Sequence, residues 1–290
     1  MMEPPTIASP PDLAEKRDRL EAILKELGSA AIAFSGGVDS TLLLAEARRV
    51  LGRENVLAVT AESETYIPEE LARARDLARR LDVRHEVIQT RELQTPHFRE
   101  NPPNRCYWCK RELFTAVRRV ADARGLAAVC DGANADDPSA WRPGLKAAAE
   151  LGVRSPLKEA GLTKAHVRAL SRDLGLPTWN RPAMACLASR FPYGQTITEA
   201  KLERVARGER LLRELGFDGC RLRDHETIAR IEVAPEDLPR LLEHRERLVA
   251  ELKALGYAYV TADLQGYRPG AMDEVLGGAG EPPHDEPQDA

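Results

Sequence analysis

Short apolar runs alternate with stretches of helical periodicity through the first half of the chain. AAIAF (30–34) leads into STLLLAEARRVL, and VLAVT (56–60) leads through a loop into PEELARARDLARRL. HEVIQ (85–89) leads into the cysteine-bearing loop NRCYWCKRE and the helical stretch KRELFTAVRRVADARG, after which AAVCD (127–131) follows. Apolar runs without polar alternation are the mark of strands buried on both faces. Their alternation with helices predicts an α/β fold, a parallel sheet with helices on both sides. Ligands of such sheets bind beyond the carboxyl ends of the strands, where the strand order reverses.

From about Thr196 the pattern changes. A helix over TEAKLERVARGERLLRELG precedes strands CRLRDH and TIARIEV, then a helix over EDLPRLLEHRERLVAELKALG and a strand in YAYVTADL. The short turn between the first two strands predicts a hairpin in a smaller α+β domain. The expected organisation is a flexible leader over 1–11, an ATP-binding domain over 12–192, an α+β domain over 193–276 and a disordered tail over 277–290. The tail, GGAGEPPHDEPQDA, has almost no apolar surface to bury.

The strongest local signal is AIAFSGGVDSTLLL (31–44). A strand ends, two glycines permit a tight turn with exposed N–H groups, and a helix begins. Backbone donors and a helix N-terminus together make an anion site. Ser35, Gly36, Gly37, Val38, Asp39 and Ser40 form it, with Thr41 adding a hydroxyl. The lysine of the GxxxxGK[ST] phosphate loop is missing. Asp39, in the first helical turn, is expected to hold Mg2+ rather than serve the helix dipole alone. DGANADD (131–137) follows the fourth strand, and Asn134, Asp136 and Asp137 there either orient Mg2+ or a ribose or cap a turn.

The composition, 43% hydrophobic and 30% charged, is that of a globular protein, and no apolar run reaches membrane-spanning length. The net charge of −4 offers nucleic acid no long-range attraction. Five cysteines, an odd number, with no secretory signal at the start point to a reducing cytoplasm. Cys106 and Cys109, at CxxC spacing, suit zinc, disulfide exchange, an iron–sulfur cluster or plain packing. Cys186 lies in the proline-flanked NRPAMACLASRFPYGQTIT (180–198), with Arg190 four positions on to favour a thiolate. Cys130 and Cys220 read as core. Arg221 and Arg223 fall on one face of a strand and suit a phosphate, although a solvated edge strand carries such charges too.

SGGVDS is the signature of the PP-loop superfamily, whose members split ATP between the α- and β-phosphates. With DGANADD, SPLKEAGLTKAHVRALSRDLGLP (155–177) and ACLASR, the chain from about 12 to about 270 resembles the LarE family of ATP-dependent sulfur transferases. The resemblance implies adenylation of a carboxylate of pyridinium-3,5-biscarboxylic acid mononucleotide and its conversion to a thiocarboxylate, in nickel-pincer nucleotide synthesis. It implies adenine near VLAVTAES (56–63), and ATP, Mg2+, Asn134 and Asp137 at the nucleotide site. Arg190, Arg221, Arg223 and Glu232 fall to the substrate, and Cys186, Asp39 and Arg190 to catalysis. Sulfur comes either from Cys186 itself, leaving dehydroalanine, or by way of a [4Fe–4S] cluster on Cys106, Cys109 and Cys186. Trp108 is a candidate to stack on the pyridinium ring. Trimer-based homo-oligomers, possible hexamers among them, accompany the family. Competing readings are a tRNA-thiolating or amide-forming PP-loop enzyme, and a non-catalytic ATP or AMP sensor.

Overall fold

A computed structural model describes residues 10–137, 143–182 and 185–276. Most of the expected leader (1–9) and the expected tail (277–290) lie outside the described residues. The chain forms two compact units. The first runs to Cys186 and includes Thr196–Thr198; the second takes up Leu187–Gln195 and the chain from Glu199. The change of unit thus falls between Cys186 and Leu187, earlier than the sequence pattern suggests, and it puts Arg190 in the second unit.

In the first unit, α1 (Leu13–Leu27) precedes β1 (Ala30–Ala33), α2 (Val38–Leu51), β2 (Val56–Glu62), α3 (Pro68–Arg80) and β3 (Arg84–Gln89). Then come α4 (Pro96–Arg99), α5 (Arg105–Ala123), β4 (Ala128–Cys130), α6 (Pro143–Glu150), α7 (Pro156–Glu159) and α8 (Lys164–Asp173). The four strands are all parallel, in the order β3-β2-β1-β4. Successive residues alternate between two cores, as a pleat requires. Ala30, Ile32, Val56, Ala58, Ala128 and Cys130 pack on one side with Leu42, Leu43, Leu77 and Leu170. Ala31, Leu57, Val59, Ala61 and Val129 pack on the other with Leu113, Phe114 and Val117 of α5. Both faces are covered, which is why these strands carry unbroken apolar runs. The chain leaves β1 toward β2 on one side and reaches β4 on the other, so the order reverses between β1 and β4.

One boundary departs from the sequence pattern. The helix read as starting near Lys110 begins at Arg105, so Cys106 and Cys109 sit in its first turns and not in a preceding loop. The prolines of NPPN suggested an irregular segment, but proline is well tolerated just ahead of a helix. Here Arg105 N donates to Pro102 O at 2.9 Å.

In the second unit, α9 (Glu199–Glu214) precedes β5 (Arg221–His225), β6 (Ile228–Glu232), α10 (Leu238–Glu243), α11 (Arg245–Ala254) and β7 (Tyr259–Ala262). β5 and β6 form the expected antiparallel hairpin, and β7 joins β6 in parallel. The single helix read over 236–256 breaks at His244, whose ring packs edge-on to Phe217 at 5.9 Å. Leu212, Phe217, Leu222, Ile231 and Leu252 are at the centre of this core. Cys130 and Cys220 are buried, each in its own core, where burial pushes both thiols up to about 12.

Candidate active site

The SGGVDS loop follows β1 and DGANADD follows β4, so the two loops flank the reversal in strand order. Gly36 takes φ +69°, a left-handed turn that favours glycine, and Gly37 caps α2. Gly37 N donates to Ser35 Oγ at 3.3 Å, Ser40 Oγ donates to Gly37 O at 3.3 Å, and the two serine hydroxyls lie 3.2 Å apart. The first-turn N–H groups of α2 have no acceptor within the helix, and the macrodipole adds positive potential. Thr41, fully buried, has a hydroxyl without a partner. Gly132 allows the second loop to close on this pole: a Cβ there would lie 2.9 Å from Ser40 N.

Asp39 occupies the first turn of α2. Its Oδ1 accepts from Asn134 Nδ2 at 3.1 Å, and its Oδ2 accepts from Lys164 Nζ. Asn134 is buried; its backbone N–H donates to Asp137 Oδ2 at 2.9 Å, and its Oδ1 accepts from Asp136 N at 2.9 Å. Asp136 Oδ2 also accepts from Lys164 N at 2.7 Å. Both aspartates thus shape the loop, and Asn134 carries that order to Asp39. Opposite, Arg181 donates to Gly36 O at 3.2 Å and pairs with Glu70. One carboxylate is a sufficient protein ligand for Mg2+ when phosphates and waters complete the octahedron. The donor set at this loop therefore fits the ion.

Cys106, Cys109 and Cys186 belong to the same unit and lie within electrostatic reach of one another. Cys106 and Cys109, three residues apart, share a face of α5. Burial raises the Cys109 pKa, with the charges of Cys186 and Glu92 adding to it. Although Cys106 presents surface to solvent, desolvation of its sulfur raises its pKa; Arg105 opposes this and Cys186 reinforces it. Tyr66 is raised first by burial, then by Cys109, Glu92 and Cys186. Glu92 is almost fully buried; its Oε2 has no hydrogen-bond partner, and burial raises its pKa. Among the described residues no three His, Cys, Asp or Glu side chains converge closely enough to hold a metal ion. The three thiols are therefore neighbours but not an assembled ligand set. One face of Trp108 is taken by the His97 ring, stacked at 4.4 Å.

In the second unit a cluster of guanidinium groups is buried. Arg190 is fully buried, bound through Nε at 2.7 Å and Nη2 at 3.0 Å to Glu209, which is also fully buried. Its Nη1 donates to Ser189 Oγ at 2.9 Å. Arg223 pairs with buried Glu232 at 2.7 Å and donates to Ser189 O at 2.9 Å. Arg221 donates to Cys220 O at 2.8 Å and lies over the Tyr267 ring. Burial lowers the Arg221 pKa, and Arg190 lowers it further. The arginines of β5 are buried, not the charges of a solvated edge. Three guanidinium groups against Glu209 and Glu232 leave a positive surplus, an environment that attracts an anion.

Residues 13–106 match the NAD synthase family. A pyridinium-3,5-bisthiocarboxylic acid mononucleotide synthase of Lactiplantibacillus plantarum is 42% identical over 91% of this chain and 96% of its own length. The chain belongs to the LarE family. A further relative, an uncharacterized protein of Synechocystis sp., is 45% identical over 91% of this chain and 99% of its own. One from Methanocaldococcus jannaschii is 28% identical over 82% and 90%. This LarE-family chain is thus an ATP-dependent enzyme of the PP-loop class, and the class uses ATP with Mg2+. Among the described residues no helix is long and apolar enough to cross a membrane. Sequence reasoning missed Lys164 and Arg181 at the LarE loop, because each arrives from more than a hundred residues away. A lysine at the first position of a helix, where the macrodipole disfavours it, was the available signal for Lys164.

Proposed function

We propose that this protein adenylates a carboxylate of pyridinium-3,5-biscarboxylic acid mononucleotide and converts the acyl-adenylate to a thiocarboxylate. The supporting observation is one unit that carries both an anion-binding loop at the sheet's switch point and three neighbouring thiols, in a chain matching the L. plantarum synthase nearly end to end. Ser35, Gly36, Gly37, Val38 and Ser40 cradle the phosphates, Asp39 holds Mg2+, and Asn134 and Asp137 order the loop behind it. The substrate carboxylate oxygen attacks the α-phosphorus, the bond to the β-phosphate breaks, and pyrophosphate leaves toward the α2 pole. Arg221 and Arg223, the latter held by Glu232, receive the mononucleotide phosphate, with Arg190 adding its positive charge.

Sulfur delivery is assigned to Cys106, Cys109 and Cys186. These would hold a [4Fe–4S] cluster whose open iron carries a transferable sulfide. Their donor chemistry suits it, while among the described residues the three sulfurs do not converge on one point. Without a cluster, Cys186 Sγ attacks the acyl-adenylate and expels AMP. Loss of the Cys186 α-proton with cleavage of its Cβ–S bond then releases the thiocarboxylate and leaves dehydroalanine. The test is pyrophosphate release with and without the mononucleotide, on protein purified without oxygen. Dependence on the mononucleotide, AMP as co-product and a brown chromophore lost in Cys106→Ser are expected. A colourless protein whose Cys106→Ser and Cys109→Ser variants still transfer sulfur, with residue 186 lighter by one hydrogen sulfide, would overturn the cluster and leave Cys186 as donor. ADP and phosphate as products would overturn the adenylation itself.

A further inference from the structure

His85 stands on the edge strand β3, with β2 between it and β1, yet two hydrogen bonds join it to the start of the phosphate loop. Its Nε2 lies 2.8 Å from Thr60 Oγ1 on β2. Thr60 Oγ1 donates at 2.7 Å to the carbonyl of Phe34, the residue before SGGVDS. A carbonyl can only accept, so the single Thr60 hydroxyl proton is committed to Phe34. Thr60 therefore accepts from His85, which places the imidazole proton on Nε2. Burial, with Arg75 adding to it, holds the His85 pKa below the ordinary histidine value and favours this neutral ring. The Phe34 ring packs edge-on to His85 at 6.2 Å, and Thr60 and Phe34 are buried, so the bond between them is shielded from water.

The direction of the Phe34 carbonyl decides the direction of the first loop amide. The Phe34–Ser35 peptide is planar and trans, so its N–H points opposite to its C=O. Phe34 N also donates to Val59 O at 2.8 Å, so both backbone groups of Phe34 face β2. The Ser35 N–H is thereby aimed the other way, to the β4 side of β1, where the strand order reverses and DGANADD follows. Among the described residues this N–H has no acceptor. Resting on the phosphate-loop reading above, we propose that Thr60 and His85 are positioning residues that hold the Ser35 N–H toward the nucleotide's phosphates. A free N–H at this crevice is a donor for a phosphate oxygen. The bonds also polarise one another: donation from His85 makes the Thr60 hydroxyl a better donor, and a carbonyl that accepts strengthens the N–H of its own peptide. The imidazole thus acts on the anion without touching it.

The test is calorimetric binding of inorganic pyrophosphate, with EDTA present, to wild type, Thr60→Val, Thr60→Ser, His85→Leu, His85→Gln and the Thr60→Val/His85→Leu double variant. Thr60→Val keeps the side-chain shape without the hydroxyl and should bind pyrophosphate about ten-fold more weakly, while Thr60→Ser should stay within about two-fold. His85→Leu should lose about three-fold, and His85→Gln, whose amide N–H can stand in for Nε2–H, should recover it. Adenosine, which has no phosphate, should bind both His85 variants as it binds wild type. In the Thr60→Val background His85→Leu should cost nothing further, because the connection is already cut. Full pyrophosphate affinity in Thr60→Val, an equal loss of adenosine in His85→Leu, or a His85→Leu loss that adds in full to that of Thr60→Val would overturn the proposal. The Ser35 amide proton resonance decides the matter if Thr60→Val does not fold. Pyrophosphate should shift it in wild type and His85→Gln and shift it less in His85→Leu; equal shifts in all three would overturn the proposal too. Those outcomes leave the loop's assignment as an anion site standing, whereas a wild type that binds no pyrophosphate would overturn that assignment and the proposal with it.

Discussion

Replacing Glu209 by leucine should destabilise the second unit severely, and replacing Arg190 by leucine as well should restore much of the loss. Both side chains are fully buried and joined by two hydrogen bonds of 2.7 and 3.0 Å. Removing one partner strands a charge away from water, at a cost of about 3–5 kcal/mol. Removing both takes the buried ion pair away together; the Leu222 N–H, which donates to Glu209 Oε1 at 3.2 Å, and the Ser189 hydroxyl then need new partners, while Arg213, 3.6 Å from Glu209 and a third exposed, can turn to water. One orphaned N–H costs about 1–3 kcal/mol. With a urea m-value of about 2 kcal/mol/M, Glu209→Leu should lower the midpoint by about 2 M and the double variant by about 1 M. All three tryptophans, Trp108, Trp141 and Trp179, precede Leu187 in sequence. Far-UV circular dichroism therefore follows both units while tryptophan fluorescence follows the first. The dichroism midpoint should fall in Glu209→Leu with the fluorescence midpoint lagging behind. A double variant no better than the single would refute the reasoning, because the loss would then come from packing and not from a stranded charge.

Asp39→Ala should cut mononucleotide-dependent pyrophosphate release by at least a hundred-fold, read in a coupled phosphate assay; an unchanged rate would return Asp39 to a capping role. Arg221→Ala and Arg223→Ala should each weaken mononucleotide binding by about 1.5–3 kcal/mol, roughly ten- to a hundred-fold, with ATP affinity almost intact by calorimetry. Gly132→Ala forces a methyl against the Ser40 backbone and should cost about 1–3 kcal/mol in thermal unfolding together with ATP affinity. Glu159, held by Arg154 at 2.6 Å, has its pKa lowered, first by that hydrogen bond. Its contribution to stability is present above the unfolded carboxyl value and lost as pH falls through the folded one, so Glu159→Gln should flatten acid unfolding below about pH 4.5.

The sheet was legible because β1, β2 and β4 each carry an unbroken apolar run of a few residues, whereas the edge strand β3, RHEVIQ, does not, and because SGGVDS follows one of them. The α5 start was not, since NPPN looks the same whether a loop continues or a helix begins at the next residue. Asp39 and Asn134 were readable as polar residues in glycine-rich turns, but their hydrogen bond joins loops 95 positions apart. Lys164 and Arg181 were hidden for the same reason: no local pattern states which distant loop a side chain will reach. Arg190 was readable as a charge near Cys186, whereas its full burial against Glu209 depends on α9 packing that periodicity alone does not specify.

The sheet's small residues carry a consequence for which substitutions this fold tolerates. Ala30, Ala31, Ala58 and Ala128 sit between helices on both faces with almost no exposed surface. In an ordinary core the damaging change is truncation; here there is little to truncate and no space to add. Enlarging Ala31 to valine would push α5 and β1 apart, and the shift would be delivered along the strand to Ser35 and Gly36, the fourth and fifth residues on. A substitution that raises hydrophobicity and touches no catalytic group could therefore leave the protein folded while spoiling phosphate capture. Directed evolution of the chain should find this strand among its least permissive stretches, with rejection set by volume and not by polarity.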